Sequence, residues 1–193
     1  YDDVLAGRRD VGANVVIIGA GGIGFDVAMY LLEGGDRSYV EPASFAKAWG
    51  IDMTLSNAGG LQSKGRPRPA PARNITMLKR SAGRFGSTLG KTTGWVHKSV
   101  VDFNGVECLA GVVYERIDKN GVHILVDEGR RCIPADTIIL CAGQDPLRDL
   151  AGPMTGLGHT VHLIGGACET SELDAKRAIL EGLETAIGFN EVG

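Results

Sequence analysis

Three glycines carry the clearest chemical signal in this sequence: Gly19, Gly21 and Gly24, spaced as G-x-G-x-x-G. Each position answers a separate demand. Gly19 permits a sharp turn out of a strand, Gly21 leaves the backbone open to a pyrophosphate, and Gly24 lets a helix lie close to a sheet. With Ala20, Gly22 and Ile23 they form a loop whose N–H groups, backed by the positive end of a following helix, suit phosphate. The spacing alone is weak, because Gly supplies 29 of 193 residues and an ordinary tight βα turn looks the same. The flanks decide. Asn14-Val15-Val16-Ile17-Ile18 reads as a strand buried on both faces, and Phe25 to Glu33 places apolar residues at helical spacing.

Further candidates lie at later strand ends. The stretch Asn74 to Arg80 reads as the second strand and ends in Lys79-Arg80. An acid there would accept hydrogen bonds from a ribose 2′-hydroxyl, whereas a guanidinium takes a 2′-phosphate with paired charge-assisted bonds. The sequence therefore favours NADP(H) over NAD(H), with solvated strand-end charges as the plain alternative. Lys91, in the glycine-rich stretch that follows, is placed to help with a phosphate. The run Asp136 to Cys141 reads as another buried strand, and Ala142, Gly143 and Gln144 follow it where a bound dinucleotide should lie. A last strand, Thr160 to Ile164, enters the turn Gly165-Gly166. A helix then opens at Ser171 with a capping-box-like carboxylate at Asp174. Its buried side is expected at Ala175, Ile179, Leu183 and Ala186, and this second strand–turn–helix again points backbone N–H groups outward.

The elements between these points must position them. The first helix spans 22–33 and stops at Gly34-Gly35, a C-cap pair. Asp36 to Arg73 interrupts the expected course to the second strand. It holds a short helix over Pro42 to Trp49, and a basic, proline-rich loop from Leu61 to Arg73. That loop is a solvated surface or, more sharply, a flap over a phosphorylated ligand. A helix is expected over 92–103, capped by Thr92 or Thr93, with Val96, Val100 and Phe103 inward. His97 on it reads as a surface or packing histidine, not a base. Short-period runs at 106–109, 112–117, 122–126 and 131–133, separated by Asn104-Gly105, Asn120-Gly121 and Glu128-Gly129, predict a third parallel strand and an antiparallel meander. Residues 147–159 read as a loop. The expected fold is α/β: a Rossmann-like three-layer dinucleotide-binding domain with a β-meander over 12–146, inserted at 36–73. A closing strand–helix segment of a second domain follows over 147–193.

Composition narrows the function classes. The net charge of −3 gives no reason to expect nucleic acid or an acidic membrane surface, and no long apolar run signals a membrane span. Cys108, Cys132, Cys141 and Cys168 form no C-x-x-C pair, which argues against metal or cluster ligation and for buried thiols of a cytoplasmic protein, two of the four lying in or beside apolar strand-like runs. The chain begins at Tyr1 without a signal peptide, and reads as a piece of a longer protein.

Several segments together resemble the C-terminal region of bacterial NADPH-dependent 2,4-dienoyl-CoA reductases. They are Ile18 to Leu31, Leu89 to His97, Ile139 to Pro146, and Val161 to Gly166 with Glu172 to Ile179. The likeness extends through the insertion, at Trp49-Gly50-Ile51-Asp52 and Ala58-Gly59-Gly60-Leu61. It implies the NADPH domain of a flavoprotein reductase, followed by the closing segment of its FAD domain. FMN, a 4Fe-4S cluster and the substrate site would lie in a barrel outside this chain, so no catalytic acid or base and no metal ligand is assigned here. Related flavoprotein disulfide reductases place an aspartate just after the last glycine turn. Gly165-Gly166-Ala167-Cys168-Glu169 departs from that, so backbone N–H groups near Glu172 and Leu173, not a side chain, are expected to face FAD. Without the first half of the FAD domain, this piece is not expected to hold FAD. Two other functions fit the same pattern: an NADP(H)-sensing module without chemistry, and a related flavoprotein reductase acting on amines or disulfides.

Overall fold

The computed structural model describes residues 1–34, 40–67, 72–127, 129–171 and 174–188. The chain divides into two units, Tyr1–Ala142 and Gly143–Gly193. In the first, a short helix α1 (Asp2–Leu5) precedes β1 (Asn14–Ile18), α2 (Gly22–Glu33), α3 (Pro42–Trp49), β2 (Asn74–Leu78), α4 (Gly94–Phe103) and β3 (Glu107–Leu109). The meander β4 (Val113–Asp118), β5 (Gly121–Val126) and β6 (Gly129–Ile133) follows, and β7 (Thr137–Leu140) returns to the first sheet. That sheet has the order β3-β2-β1-β7, and its pairs are parallel. The meander forms a separate antiparallel sheet, β4-β5-β6.

The near-continuous apolar run of β1 is explained by what covers each face. Val15 and Ile17 join Phe25, Val27, Ala28 and Leu31 of α2 and Val101 of α4 in one core. Val16 and Ile18 join Val122, Ile124 and Val126 of the meander in another. The three layers are therefore helices, parallel sheet and antiparallel sheet, which is the Rossmann-like arrangement with a meander. Burying each of the Val, Ile, Leu and Phe side chains among these contributes about 1.5–3 kcal/mol. Polar residues set the register at the strand starts. The Asn14 N–H and side-chain amide both donate to Asp136, and the Asn74 amide donates to Asn14.

Several expectations need correction in this unit. The α4 helix starts at Gly94, Thr93 makes no side-chain cap bond, and the buried positions are Gly94 and Val101. The expected stripe of Val96, Val100 and Phe103 is only half-buried. The edge strand β7 buries Ile139, while Leu140 is exposed, because β7 has a sheet neighbour on one side only.

The insertion is ordered by side chains. Its Arg66 guanidinium lies 3.9 Å from the Trp49 ring centroid and 4.3 Å from that of Phe103. The Asp52 carboxylate accepts from the N–H and hydroxyl of Thr54 and from the N–H and side-chain amide of Asn57. Phe103 ends α4 and lies just before β3, at the edge where strands begin. Arg66 thus ties the insertion to the last residue of α4. Residues 36–39 and 68–71 of the insertion lie outside the described residues.

The second unit departs further. Residues 151–156 form a helix, α5 (Ala151–Gly156), where a loop was expected, and Thr160–Ile164 pairs with no strand among the described residues. The last helix, α6 (Ala175–Gly188), buries none of its residues. Its cap is Asp174, whose carboxylate accepts from the Arg177 N–H at 2.8 Å. The expected inward face is outward. Ile179 and Leu183 are exposed, while Arg177, Ala178, Glu181 and Gly182 are half-buried, because α6 meets its own unit through polar groups described below.

Candidate functional site

The turn after β1 meets each of its three demands. Gly19 has φ +119°, and a Cβ there would lie 2.4 Å from the Cys141 carbonyl oxygen. Its N–H donates to the Leu78 oxygen at 2.9 Å, and the Cys141 N–H donates to Ile18 at 2.8 Å. A Cβ on Gly24 would lie 2.2 Å from the Gly19 oxygen, whereas one on Gly21 would meet nothing within 4 Å. Gly21 caps α2 in extended conformation, so the first-turn N–H groups of α2 emerge beside an open backbone. These residues fit the pyrophosphate of a dinucleotide: two glycines hold turn, strand and helix together, and the middle one is open.

The basic residues after β2 separate into different roles. Lys79 Nζ donates to the Arg84 carbonyl at 3.0 Å and sits 5.1 Å from the Phe85 ring centroid, so it closes the loop that follows the strand. Arg80 is exposed, with no ion pair among the described residues. Burial pushes the Tyr114 phenol up, and the Arg80 charge pulls it the other way. Lys91 and Arg84 line a cleft of about 450 Å³ against α4. Sequence reading did not single out Arg84, because an irregular loop has no periodicity to place it beside Lys91. His97 Nδ1 lies 3.7 Å from Asp26 of α2, a packing role.

Ala142 closes the first unit, while Gly143 and Gln144 open the second, where the Thr170 hydroxyl donates to the Gln144 carbonyl at 2.7 Å. The second glycine turn is held from within. The Gly165 N–H donates to Glu181 at 2.5 Å, and Arg177 donates to that carboxylate at 3.1 Å and to the carbonyls of Glu169 and Ser171 at 2.6 and 3.1 Å. Arg148 donates to the carbonyls of Ala167 and Cys168. The Gly165 N–H is thus already engaged within the chain. Glu172 and Leu173 lie outside the described residues.

The thiols divide by burial. Cys108 is pushed up to about 11 by burial, and Cys141 is raised for the same reason; Cys132 and Cys168 are exposed. Among the described residues no group of His, Cys, Asp and Glu is suited to a metal ion, and no helix is long and apolar enough to cross a membrane.

Known proteins share this architecture. A metal reductase of Desulforamulus reducens is 28% identical over 165 residues, covering 86% of this chain and 23% of that protein. The structure of a 2-naphthoyl-CoA reductase superposes with a TM-score of 0.65 at 20% identity, over 94% of this chain and 22% of the other. A histamine dehydrogenase from Rhizobium sp. 4-9 gives 0.62 at 14% identity, over 96% and 23%. The chain spans less than a quarter of the length of each of these proteins, and at these identities the structures speak for the fold. The family model for pyridine nucleotide-disulphide oxidoreductases matches residues 2–166, so this chain, with its open glycine turn between β1 and α2, belongs to that flavoprotein oxidoreductase family.

Proposed function

We propose that this chain is the NADPH-binding part of a flavoprotein reductase. The observation that carries the reading is the glycine turn, closed at Gly19 and Gly24 and open at Gly21. The backbone from Gly19 to Gly24, with Ala20, Gly22 and Ile23, holds the pyrophosphate on the first turn of α2. Arg80 takes the 2′-phosphate at the end of β2, helped from the neighbouring loop by Lys91. Ala142, Gly143 and Gln144 lie along the dinucleotide's course past β7. NADPH would supply a hydride whose acceptor, by the segment likeness, would be an FAD; this chain, with Gly165, Gly166, Glu172 and Leu173, would carry only the closing segment of that FAD's domain.

In the longer polypeptide the electrons would go on through a 4Fe-4S cluster and FMN, on domains outside this chain, to a 2,4-dienoyl-CoA. The segment likeness supports that substrate, and a cytoplasmic place in fatty acid breakdown with it. The partners are then the remaining FAD and barrel domains of the same polypeptide, with no nucleic acid or membrane. The test is calorimetric titration of the chain and of Arg80→Ala with NADPH and NADH. NADPH should bind at least about tenfold more tightly, or 1.4 kcal/mol, and the preference should collapse in the variant. Preference for NADH would refute the role of Arg80, and failure of both nucleotides to bind would refute the glycine turn as a site in this chain.

A further inference from the structure

We propose that Cys132 is a thiol–disulfide exchange site, with His123 as the hydrogen-bond donor to its sulfur and a low-molecular-weight disulfide as its substrate. The register of the meander builds the site. Arg116 on β4, His123 on β5 and Cys132 on β6 stand opposite one another across the three strands. Val122, Ile124 and Val126 pack inward with Val16 and Ile18 of the parallel sheet, so the alternate positions His123 and Leu125 point to the outer face. That face is open: Cys132 is exposed, and Val113 and Leu125 are 58% and 41% exposed.

Two groups converge on one nitrogen of the imidazole. Cys132 Sγ lies 3.6 Å from His123 Nε2, and Asp118 Oδ2 lies 2.8 Å from the same atom. A carboxylate at that distance sets the proton on Nε2, so the atom that Cys132 meets is a donor. The Asn120 N–H foremost, with His123 and Arg116, holds the Asp118 carboxyl below the usual carboxylate range. Arg116 Nε, at 3.2 Å, offsets the charge of that carboxylate. The resting thiol has the Asn120 carbonyl at 3.7 Å as the acceptor for its S–H. Once the proton is lost, the Nε2–H is in place to stabilise the nucleophilic thiolate.

The other cysteines lack this setting. Cys108 and Cys141 are half-buried, and burial raises both thiols. Cys168 is exposed, but no hydrogen bond or ion pair reaches its sulfur among the described residues. At Cys132 the thiol gives its proton to water, and the thiolate attacks one sulfur of the disulfide. A bond forms between Cys132 Sγ and that sulfur as the substrate's own S–S bond breaks. The departing sulfur takes the electron pair and then a proton, so it is reduced while Cys132 is oxidised to a mixed disulfide.

The test is incubation of the chain with glutathione disulfide, with each cysteine's modification followed over time by peptide mass spectrometry. Cys168 is the internal reference for an exposed thiol, and Cys108 reports loss of the fold. Cys132 should react about tenfold faster than Cys168. His123→Leu removes the donor and should bring Cys132 down to the rate of Cys168. His123→Gln keeps an N–H and should retain part of the advantage, and Cys168 should be unchanged in both variants. Equal rates at Cys132 and Cys168 in the unaltered chain, or a Cys132 rate that His123→Leu does not lower, would overturn the proposal. Should His123→Leu also expose Cys108, that variant is unfolded, and the comparison within the unaltered chain decides alone.

Discussion

The two glycine turns of this chain have the same punctuation and opposite fates. After β1, the backbone of Gly19–Gly24 is squeezed between strand and helix, and its middle glycine faces open space. Before α6, the turn at Gly165 is occupied by the chain itself, with Glu181 on the N–H and two arginines on the carbonyls. The difference lies in the sheet. β1 is paired on both sides, so backbone geometry alone fixes the turn and leaves the first-turn N–H groups of α2 free. Thr160–Ile164 has no strand partner among the described residues, so side chains do the fixing and consume the donors.

The largest test of this contrast is steric. Gly24→Ala places a methyl 2.2 Å from the Gly19 oxygen and should cost about 3 kcal/mol or more, because neither strand nor helix can yield. Gly165→Ala should cost only about 1 kcal/mol for its left-handed φ, since its nearest neighbour, the Ala178 Cβ, would be at 3.6 Å. Urea titration, with tryptophan fluorescence for the first unit and hydrogen exchange for the second, measures both. Equal losses would mean that the first turn is not sterically locked.

A smaller effect probes the internal clamp. Arg177→Ala removes donors to Glu181, Glu169 and Ser171 and should cost about 1–2 kcal/mol, given that hydrogen bonds to charged groups are worth more than neutral ones. The loss should be confined to residues 165–171, as faster amide exchange there with β1 and β2 unchanged. Unaltered exchange in 165–171 would show that the turn holds itself.

The same contrast explains what could be read from the residues. The strand–turn–helix of β1 and α2 was legible because burial on both faces writes an apolar run, and close approach demands Gly19 and Gly24. The meander was legible from its short apolar runs and the Asn120-Gly121 turn between β4 and β5. The face of α6 was not: Ile179 and Leu183 have helical periodicity, but the contacts the helix makes here use Arg177 and Glu181, and hydrophobic spacing cannot say what will cover it. Lys79 and Arg80 show the same limit at one site. Adjacent cations look alike in sequence, and only the carbonyl of Arg84 beside Lys79 tells them apart.

That separation gives the next test. Lys79→Ala should destabilise the loop after β2 by about 1 kcal/mol, through the lost hydrogen bond and its contact with Phe85, while leaving any NADPH preference intact. Arg80→Ala should do the reverse. Denaturation midpoints and nucleotide titrations on the two variants check this, and matching profiles would dissolve the distinction.

The finest effect belongs to the insertion, where a side chain again does what a sheet does around β1. Hydrogen bonds from Thr54 foremost, and from Asn57, hold the Asp52 carboxyl down at about 2. Its folded-state value lies below the unfolded one, so its stabilising contribution is complete above about pH 4 and fades as pH falls toward about 2. Asp52→Asn should loosen the insertion at neutral pH and flatten its response to acid over that window. Trp49 stacks on Arg66 in the same insertion, so its fluorescence reports the change. If wild type and variant lose their Trp49 signal in parallel as the pH is lowered, the insertion is held by Arg66 between its two rings and not by Asp52.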